Sequence, residues 1–308
     1  MSAPIKIKVI GIGGSGGNAI SRMKSAKING VELIAINTDS QDLKTTKTDI
    51  KIQIGRELTL GFGAGMNPEI GRKAALENKE DILKILENTD MVFITYGAGG
   101  GTGTGGGPIV AELAKSLGIL TVAVVTRPFS FEGQARQNIA DTGIKKLKEN
   151  VDSLIIISND KLLSILDPNT PLTEAFWICD DTLRQAVCGI SDLIVLPGII
   201  NVNFADIKEI IKNSGTALFG VGRAEGEKRA ETAALLAVNS PLLDVSCKGA
   251  KGVLFNISGD DISLSEIDEA AKVITKEINP DAKIIFGAIQ NEKLKKGQIK
   301  VTVIATGF

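Results

Sequence analysis

Short apolar segments alternate with longer amphipathic segments through the first half of the chain. The apolar segments are rich in β-branched residues and predict the strands IKIKVIGIG, VELIAINTD, DMVFITY and ILTVAVVT. The segments between them predict helices: NAISRMKSAK, beginning near Asn18; NPEIGRKAALENKEDILKIL, with Asn67 as its N-cap and Pro68 at its first position; and PIVAELAKSLG, beginning at Pro108. This alternation predicts an α/β fold with a doubly wound parallel sheet.

A different pattern, an apolar stripe at three- and four-residue steps, predicts one long helix from Thr173 to about Val195. The stripe consists of Phe176, Cys179, Leu183, Val187, Ile190 and Ile194, and Pro197-Gly198 ends the helix. The remainder predicts a smaller α/β domain, with strands around TALFGVGRA, GVLFNISG, KIIFGAIQ and IKVTVIATGF and a helix opened by the capping box Ser263-x-x-Glu266. We therefore predict a first domain over residues 1–172, a central connecting helix over 173–197 and a C-terminal domain over 198–308.

The amino-acid composition excludes several classes of enzyme and partner. The 308 residues include no histidine, which excludes Ser-His-Asp and Cys-His hydrolases and histidine-ligated zinc enzymes. Lys and Arg number 35 against 36 Asp and Glu, so no basic surface predicts nucleic-acid binding. The three cysteines, Cys179, Cys188 and Cys247, are odd in number and lack CxxC spacing, which argues against a disulfide framework or a thiolate metal site.

The N-terminal segment and the apolar runs bear on location. The apolar part of MSAPIKIKVIGIGG is too short for a signal peptide and has no cleavage pattern. No apolar run approaches the ~20 residues that cross a membrane. We therefore expect a soluble protein of a reducing compartment, with no direct membrane insertion.

The first of three glycine-rich loops is Gly11–Gly16, which follows the first strand and opens a helix. Its spacing matches the dinucleotide fingerprint GxGxxG, and Asp39 stands at the end of the next strand, where a ribose-binding acid is expected. Glycines let backbone N–H groups and the helix N-terminus approach a phosphate, whichever nucleotide carries it. This loop alone is as consistent with a nicotinamide or flavin enzyme as with any other nucleotide-binding protein.

The second loop, Gly97–Gly107, contains two hydroxyl residues, Thr102 and Thr104, among its glycines. It lies between a strand and a helix, where a flexible linker is not expected, and its hydroxyls suit the β- and γ-phosphates of a nucleotide and a Mg²⁺ ion. Together with the third loop, Gly61–Asn67, it favours a triphosphate over a dinucleotide. The Walker sequence GxxxxGK[ST] is absent, which excludes a P-loop NTPase.

A nicotinamide-dependent oxidoreductase stays open as the weaker alternative. Such an enzyme needs a residue that transfers a proton, and the chain offers no histidine for this task. The only tyrosine, Tyr96, is followed by glycines instead of the sequence Tyr-x-x-x-Lys. The alternative therefore depends on Gly11–Gly16 and Asp39 alone.

The segment GGGTGTG, Gly99–Gly105, resembles the signature of the tubulin superfamily in the form carried by the FtsZ family of prokaryotic cell-division GTPases. Other segments resemble the same family in the same order: VIGIGGSGGNAISRM, INTDSQ, GAGMNPEIGRKAA, VVTRPFSFEG, DSLIIISNDKLL, LRQAVCGISDLI, PGIINVNFADIK and GAKGVLFNISG. The resemblance covers Ile5–Phe308 and is nearer to the bacterial than to the archaeal form. It implies a tubulin/FtsZ-like fold, in which 1–172 is a Rossmann-like GTP-binding domain and 198–308 is an activation and assembly domain.

The resemblance also implies a nucleotide site. The residues that would contact phosphates are Gly13, Gly14, Ser15, Gly16, Gly97, Gly99, Gly100, Gly101, Thr102 and Gly103, and those of the γ-phosphate loop are Gly63, Ala64, Gly65 and Asn67. The residues that would contact the ribose, the base or the neighbouring phosphates are Asn18, Asp39, Thr126, Pro128, Glu132 and Arg136. The implied ligands are GTP or GDP together with Mg²⁺, for which the resemblance names no protein ligand.

Three further residues, Asn159, Phe176 and Asp180, would recognise guanine. Phe176 would stack on the base, and Asp180 would accept from the N1 and N2 hydrogens, because guanine alone presents two adjacent donors to one carboxylate. Two alternatives stay open. Phe176 packs only within the helix stripe, or Asp180 is a solvated acid of the first helical turn and the adjacent Asp181 is the acceptor.

The loop Asn201–Asp206 corresponds to the segment that supplies catalytic groups in this family, namely Asn201, Asn203 and Asp206. Roughly 21 residues separate Asp180 from Asn201, and at ~1.5 Å per helical residue they span about 30 Å. The loop therefore reaches a nucleotide only if subunits stack head to tail. Such a contact does not close on itself and builds an open filament, with GTP hydrolysed at the subunit interface.

One residue of this loop departs from the pattern of the family, which reads Asn-x-Asp-x-x-Asp where this chain has Asn203 in the middle. An amide positions a water but takes no proton from it, and the loss of an acid–base group costs about 10²–10⁴ in rate. We therefore expect slow hydrolysis and long-lived filaments. Two alternatives stay open: Asp206 suffices for full activity, or the chain is a GTP-binding scaffold with almost no hydrolysis.

The resemblance finally implies partners and a location. The first partner is the chain itself, as a head-to-tail homopolymer. Division-ring proteins are further partners, but the peptide that binds them in this family lies beyond the equivalent of Phe308. The expected location is the cytoplasm, at the site of division.

Overall fold

The computed structural model describes residues 5–28, 30–163, 166–167, 169–196, 198–240, 249–276, 278–291 and 294–308. Within it the chain divides into two compact units, Met1–Cys188 and Gly189–Phe308. The division falls inside the long helix, and the domain limits expected at 172 and 198 stay a prediction. Cys247 and Pro197 lie outside the described residues.

The first unit contains a parallel sheet. Its strands are β1 (Ile7–Ile12), β2 (Val31–Asn37), β3 (Ile50–Gln53), β4 (Met91–Gly97), β5 (Leu120–Arg127) and β6 (Ser153–Ser158). They lie in the order β3-β2-β1-β4-β5-β6, and each neighbouring pair is parallel. The order reverses its direction between β1 and β4, and in sheets of this kind ligands bind at such a point, beyond the carboxyl ends of the strands.

Helices connect these strands. They are α1 (Gly13–Ser25), α2 (Ser40–Thr45), α3 (Arg56–Thr59), α4 (Pro68–Glu77), α5 (Lys79–Leu86), α6 (Thr102–Ser116) and α7 (Gln134–Lys148). After β6 come α8 (Asn159–Leu163) and the long helix α9 (Leu172–Val195). The central strands are buried on both faces, as the fully buried Ile10, Ile34 and Phe93 illustrate. This explains why the strands appear in the sequence as continuous apolar runs. The predicted parallel α/β sheet and the long helix are confirmed.

The second unit is smaller and contains a mixed sheet. Its elements are α10 (Phe204–Ile211), β7 (Gly215–Glu225), α11 (Arg229–Val238), β8 (Gly252–Gly259), α12 (Leu264–Lys276), β9 (Lys283–Gln290) and β10 (Gln298–Thr306). In the order β7-β10-β8-β9, strand β10 is antiparallel to both of its neighbours, whereas β8 and β9 are parallel. The predicted capping box is confirmed, because Glu266 N donates to Ser263 Oγ over 3.3 Å and Ser263 N donates to Glu266 Oε2 over 2.8 Å.

The start of α1 corrects one prediction. The helix begins at Gly13, not near Asn18, because close packing overrides the low helix propensity of glycine. A Cβ at Gly16 would lie 2.6 Å from the carbonyl oxygen of Thr95 on β4, so only glycine lets this first turn approach the sheet.

The start of α6 corrects a second prediction. The helix begins at Thr102, and Pro108, which was expected as its first residue, lies in its interior. The glycines before the proline are helical because they form the surface on which the helix packs. A Cβ at Gly105 would lie 2.7 Å from the backbone nitrogen of Arg72 on α4, and one at Gly107 would lie 2.9 Å from Cζ of Tyr96.

The helix predicted from Asn67 to Leu86 is two helices, α4 and α5, which meet at Asn78. Asn78 leaves the helical conformation, with φ −107° and ψ 29°. Its Oδ1 accepts from Gly55 N over 2.9 Å, and its Nδ2 donates to Asp81 Oδ2 over 2.9 Å. Hydrogen bonds of the asparagine side chain, one of them to Gly55 far away in the sequence, therefore interrupt the continuous helix. The N-cap role of Asn67 is confirmed, since its side chain accepts from Glu69 N.

Candidate functional site

Three glycine-rich segments meet beyond the carboxyl ends of β1 and β4: Gly13–Gly16, Gly61–Asn67 and Gly97–Gly103. We call them together the glycine cradle. A Cβ at Gly13 would lie 3.3 Å from the backbone nitrogen of Gly103, and a Cβ at Gly101 would lie 2.7 Å from Cβ of Ala64. The structure therefore brings together the loops from which the sequence predicts phosphate binding.

Two helices begin in the glycine cradle without a side-chain cap. Neither α1 nor α6 has a side-chain hydrogen bond at its N-cap, and neither has an acidic residue in its first turn. By contrast, α2 and α4 are capped by the side chains of Asp39 and Asn67. The first-turn N–H groups of α1 and α6 have no intrahelical acceptor, and the dipole of each helix favours an anion there. The cradle can therefore bind phosphate oxygens through its backbone.

Hydroxyl groups and open backbone complete the cradle. Thr38 Oγ1 and Thr102 Oγ1 are hydrogen-bonded over 2.7 Å, which ties the end of β2 to the start of α6. A Cβ at Gly97 would lie 2.9 Å from Ser15 Oγ and 3.5 Å from Thr126 Oγ1, so both of these hydroxyls border Gly97. At Gly14, Gly63, Gly65 and Gly100 a Cβ would meet nothing closer than 3.4 Å. The cradle thus keeps free space beside its backbone.

Asp39 lies at the rim of the cradle, half-buried, and its Oδ1 accepts from the backbone of Gln41 and Asp42 over 2.9 and 3.0 Å. Asp42 is a second acid close by, and it accepts from Asn37 Nδ2 over 2.7 Å. Burial and the charge of Asp39 raise the pKa of Asp42 above its ordinary value, although the Asn37 hydrogen bond opposes this. The rim next to Gly14 is therefore acidic.

Arg136 on α7 enters the cradle from the side of Gly99. A Cβ at Gly99 would lie 2.7 Å from Arg136 Cγ, and Gly99 has a φ of +96°, so both the contact and the backbone require glycine. Arg136 forms an ion pair of 3.1 Å with Glu132, which also accepts from Phe129 N over 2.8 Å. Among the described residues, the buried Nε of Arg136 has no hydrogen-bond partner. Pro128, also predicted here, is buried, and its carbonyl accepts from Gln137 Nε2.

A second buried polar atom without a partner lies on Asn159, the first residue of α8. Asn159 is only 5% exposed, and its Oδ1 has no hydrogen-bond partner in the part of the chain that the structure describes. Buried polar atoms are paired in most folded proteins. Arg136 thus has an unpaired donor beside Gly99, and Asn159 has an unpaired acceptor, which a polar ligand could pair.

The predicted base-recognition residues of α9 lie beside α1 and the segment after β5. The ring of Phe176 is 40% exposed and meets Phe129 edge to face, with centroids 5.4 Å apart. Asp180 is only 7% exposed, which contradicts the alternative of a solvated acid. Its neighbour Asp181 accepts from Arg184 Nε over 2.6 Å, so that acid is engaged within its own helix.

Arg22 on α1, which the sequence analysis did not single out, is the partner of Asp180. Its Nη2 lies 3.1 Å from Asp180 Oδ2. Burial raises the pKa of Asp180 to about 6, and the charge and hydrogen bond of Arg22 oppose that rise. Arg22 stands four residues after Asn18 on the same helix, and that spacing is the signal that could have identified it. Asn18 itself is exposed.

The loop Asn201–Asp206 belongs to the second unit. Asn201 Oδ1 accepts from Gly198 N over 2.7 Å, and Asn203 Oδ1 accepts from Asp206 N over 2.9 Å. Asn203 is thus the N-cap of α10, and Asp206 is in its first turn. The position that departs from the family pattern is therefore also the start of a helix.

The residues that the structure describes contain no group of three or more His, Cys, Asp or Glu side chains that could hold a metal ion. No helix among them has both the length and the apolar character that crossing a membrane requires.

Comparisons with known proteins identify relatives over nearly the whole chain. Residues 6–167 match the model of the Tubulin/FtsZ family, GTPase domain, and residues 215–308 match that of the FtsZ family, C-terminal domain. An FtsZ dimer from M. jannaschii is 47% identical, with a TM-score of 0.95 over 99% of this chain and 89% of that chain. A mutant of FtsZ from the same organism is likewise 47% identical, with a TM-score of 0.95 over 99% of this chain and 91% of that chain.

A more distant structure shares the fold alone. CetZ2 from Haloferax volcanii, a GTPγS-bound protofilament, is 20% identical, with a TM-score of 0.84 over 98% of this chain and 92% of that chain. The resemblance seen in the sequence is thereby confirmed, and the nicotinamide alternative is left without support. That the chain is nearer to the bacterial form stays a prediction.

Proposed function

The chain belongs to the Tubulin/FtsZ family, and on that premise we propose that it binds GTP in the glycine cradle and polymerises head to tail into protofilaments for cell division. One observation carries the proposal. The N-termini of α1 and α6, both without a side-chain cap, begin in one cradle of glycines with space beside the backbone. Such an arrangement favours a ligand with several negative oxygens, as in a nucleoside triphosphate.

Beyond the phosphates, the site supports a nucleoside. Arg136 Nε and Asn159 Oδ1 are buried polar atoms without a partner among the described residues, and we assign them to the nucleoside as donor and acceptor. Phe176 is 40% exposed, which leaves part of its ring open for stacking. Asp180 is the carboxylate that would accept from guanine N1 and N2, a pair of donors that adenine lacks.

Mg²⁺ would neutralise charge on the phosphates when it is bound with GTP. Mg²⁺ in nucleotide sites is usually held by phosphate oxygens and one or two carboxylates, without an all-protein cage. The described residues fit this pattern, since they lack a cluster of acids but place Asp39 at the rim of the cradle. Asp39 is therefore the residue that would hold the ion from the protein side.

We assign hydrolysis to the loop Asn201–Asp206 of a neighbouring copy, which would cover the nucleotide in a filament. The continuous helix α9 between the base-recognition residues and this loop supports that assignment. Asn203 would orient a water through its amide but cannot take a proton from it, and Asp206 is the remaining acid of the loop. Hydrolysis is therefore slow relative to a chain with an acid at position 203, by about 10²–10⁴.

A second function, a GTP-binding scaffold with almost no hydrolysis, is favoured by the same asparagine. It differs from the first only in the turnover that remains. In both cases the chain would act in the cytoplasm at the division site, with division-ring proteins as further partners.

Sedimentation of the chain with GTP, GDP or NAD, with phosphate release followed in the same samples, tests the proposal. We expect pelleting with GTP only, slow phosphate release, and faster release from Asn203→Asp. Asn88→Asp, which adds the same charge at an exposed position of the first unit, is the matched control and is expected to behave as the wild type.

The outcomes separate the alternatives. Pelleting with GTP but no measurable phosphate would favour the scaffold. Equal turnover of the wild type and Asn203→Asp would show that the asparagine is harmless. Retention of NAD without pelleting in GTP would refute the proposed function as a whole.

A further inference from the structure

The carboxylate proposed to recognise guanine already has a donor group within the chain. Arg22 donates from both Nε and Nη2 to the same oxygen, Asp180 Oδ2, over 3.2 and 3.1 Å. Because Asp180 is nearly buried, few other donors can reach this oxygen. Guanine, which would donate two parallel bonds, needs both oxygens of the carboxylate, and the bonds from Arg22 occupy one of these two acceptors.

The two donor groups are chemically alike. A guanidinium presents N–H, carbon and NH₂ in one plane, and the edge of guanine that faces a carboxylate presents N1–H, C2 and N2–H₂ in the same order. Both edges donate two parallel hydrogen bonds to a carboxylate. A group that recognises guanine by this edge will therefore also bind an arginine, and the chain places one within reach.

We propose that Arg22 competes with the guanine base for Asp180, so that the arginine must leave the carboxylate before the base can bind it. This inference rests on the proposed function, because it takes Asp180 as the acceptor for guanine. In this proposal Arg22 lowers the affinity of the site for guanine without contacting the phosphates.

Trp177 gives the displaced arginine a place to go. Arg22 Cζ lies 5.5 Å from the centroid of the Trp177 ring, and that ring is 49% exposed. A guanidinium over an indole face is stabilised by the negative face of the ring. Arg22 can therefore release Asp180 and keep its contact with Trp177, so that its charge is not left without a favourable partner.

The competition has a measurable consequence. The apparent dissociation constant of a ligand rises in inverse proportion to the fraction of molecules that are competent to bind it. If Arg22 holds Asp180 in nine molecules out of ten, the apparent Kd for GDP is about tenfold higher than without Arg22. A nucleotide that does not use Asp180, such as ADP, does not gain from the removal of Arg22.

The test compares the binding of GDP and ADP to the wild type, Arg22→Met and Arg22→Lys by calorimetry at pH 8.5. The high pH keeps Asp180 ionised, since loss of Arg22 removes an influence that lowers its pKa. We expect Arg22→Met to bind GDP about tenfold more tightly and ADP unchanged. Arg22→Lys, which has one donor group in place of a fork, is expected to lie between the wild type and Arg22→Met.

Chemical rescue distinguishes competition from a structural role. Methylguanidinium at millimolar concentration, at constant ionic strength, is expected to weaken GDP binding to Arg22→Met competitively and to have little effect on the wild type. Lys24→Met is the matched control, because Lys24 is a basic residue of the same helix whose partner is Asp49. Its affinity for GDP is expected to equal that of the wild type.

The inference is overturned if Arg22→Met binds GDP as weakly as the wild type or more weakly, or if methylguanidinium does not compete. In those cases Arg22 fixes α1 to α9 or supports the base, and the proposed function stands. If the wild type binds neither GDP nor GTP, the proposed function fails, and this inference fails with it.

Discussion

Replacing Gly105 with alanine is expected to destabilise the first unit, although alanine is the better helix former. In a helix interior, alanine is about 0.8–1 kcal/mol more favourable than glycine. Here the added Cβ would lie 2.7 Å from the nitrogen of Arg72 and 2.8 Å from the carbonyl carbon of Pro68, and closer still to the oxygen of that carbonyl. These are backbone atoms, which cannot turn away as a side chain can.

The size of the effect follows from the two opposing contributions. Overpacking costs about 1–3 kcal/mol, and contact with a backbone places Gly105→Ala at the upper end of that range. After subtraction of the helix-propensity gain, we expect the free energy of unfolding to fall by about 2 kcal/mol. Pro68 directly follows Asn67, a residue of the predicted γ-phosphate loop. Displacement of α4 should therefore weaken binding of GTP, which has a γ-phosphate, more than binding of GDP.

Gly106 provides the matched control on the same helix. A Cβ there would meet the oxygen of Gly71 at 3.6 Å and Cβ of Ala75 at 3.7 Å, which are ordinary contacts. Gly106→Ala is therefore expected to raise the free energy of unfolding by about 0.8 kcal/mol. Urea unfolding followed by circular dichroism gives both values from the midpoints, provided that the slopes agree. Shifts of the same sign in the two variants, or a Gly105→Ala chain at least as stable as the wild type, would refute the packing account of the glycine run.

Three further predictions concern the side chains of Asp180 and Ser263. GDP affinity of the wild type, measured by calorimetry, should fall as the pH drops through about 6, because burial raises the pKa of Asp180 to about 6 and a protonated carboxyl cannot accept from both donors of guanine. Because this pKa lies above the ordinary value of 3.8, protonation of Asp180 favours the folded state. As the pH falls from 7 to 4, the nucleotide-free Asp180→Asn variant should therefore gain less stability than the wild type. An affinity for GDP that does not change across pH 6 would contradict the role of Asp180. Ser263→Ala should lower the stability of the second unit by about 1 kcal/mol in urea unfolding, because it removes the hydroxyl half of the capping box, whereas an unchanged midpoint would deny the cap any energetic role.

The strands and the long helix could be predicted because the pattern of apolar residues in each segment reflects which of its faces are buried. The continuous apolar run of β4 is buried on both faces, and the stripe of α9 repeats with the period of a helix. The capping box at Ser263 is a local pattern with a local cause, and it was found for the same reason. Elements of this kind depend little on the rest of the chain.

The starts of α1 and α6 could not be predicted, because the conformation of their glycines is determined by packing against residues that are distant in sequence. Glycine has low helix propensity, so a sequence pattern places the first helical residue after the glycine run. The contacts of Gly16 with β4 and of Gly105 with α4 reverse that preference, and neither contact is visible in the local sequence. The break at Asn78 has the same origin, since it depends on a hydrogen bond to Gly55.

The glycine loops of the site were visible in the sequence, whereas the partner of Asp180 was not. Glycine-rich loops indicate that the backbone can approach a ligand closely, whatever the ligand is. An ion pair between α1 and α9 joins residues 158 positions apart, and apart from the spacing of Arg22 from Asn18 nothing in the sequence pairs Arg22 with Asp180. The partner of Asp180 could therefore be identified only from the fold.

The cap at Asn203 separates the shape of the loop from its chemistry. Asparagine and aspartate begin helices about equally well, so an exchange between them at this position leaves the start of α10 intact. Selection for a stable fold therefore does not distinguish the two residues, whereas under the proposed function selection on the lifetime of the polymer would. A single nucleotide change in the codon can convert one into the other, so under the proposed function filament turnover could evolve at position 203 without any cost to folding.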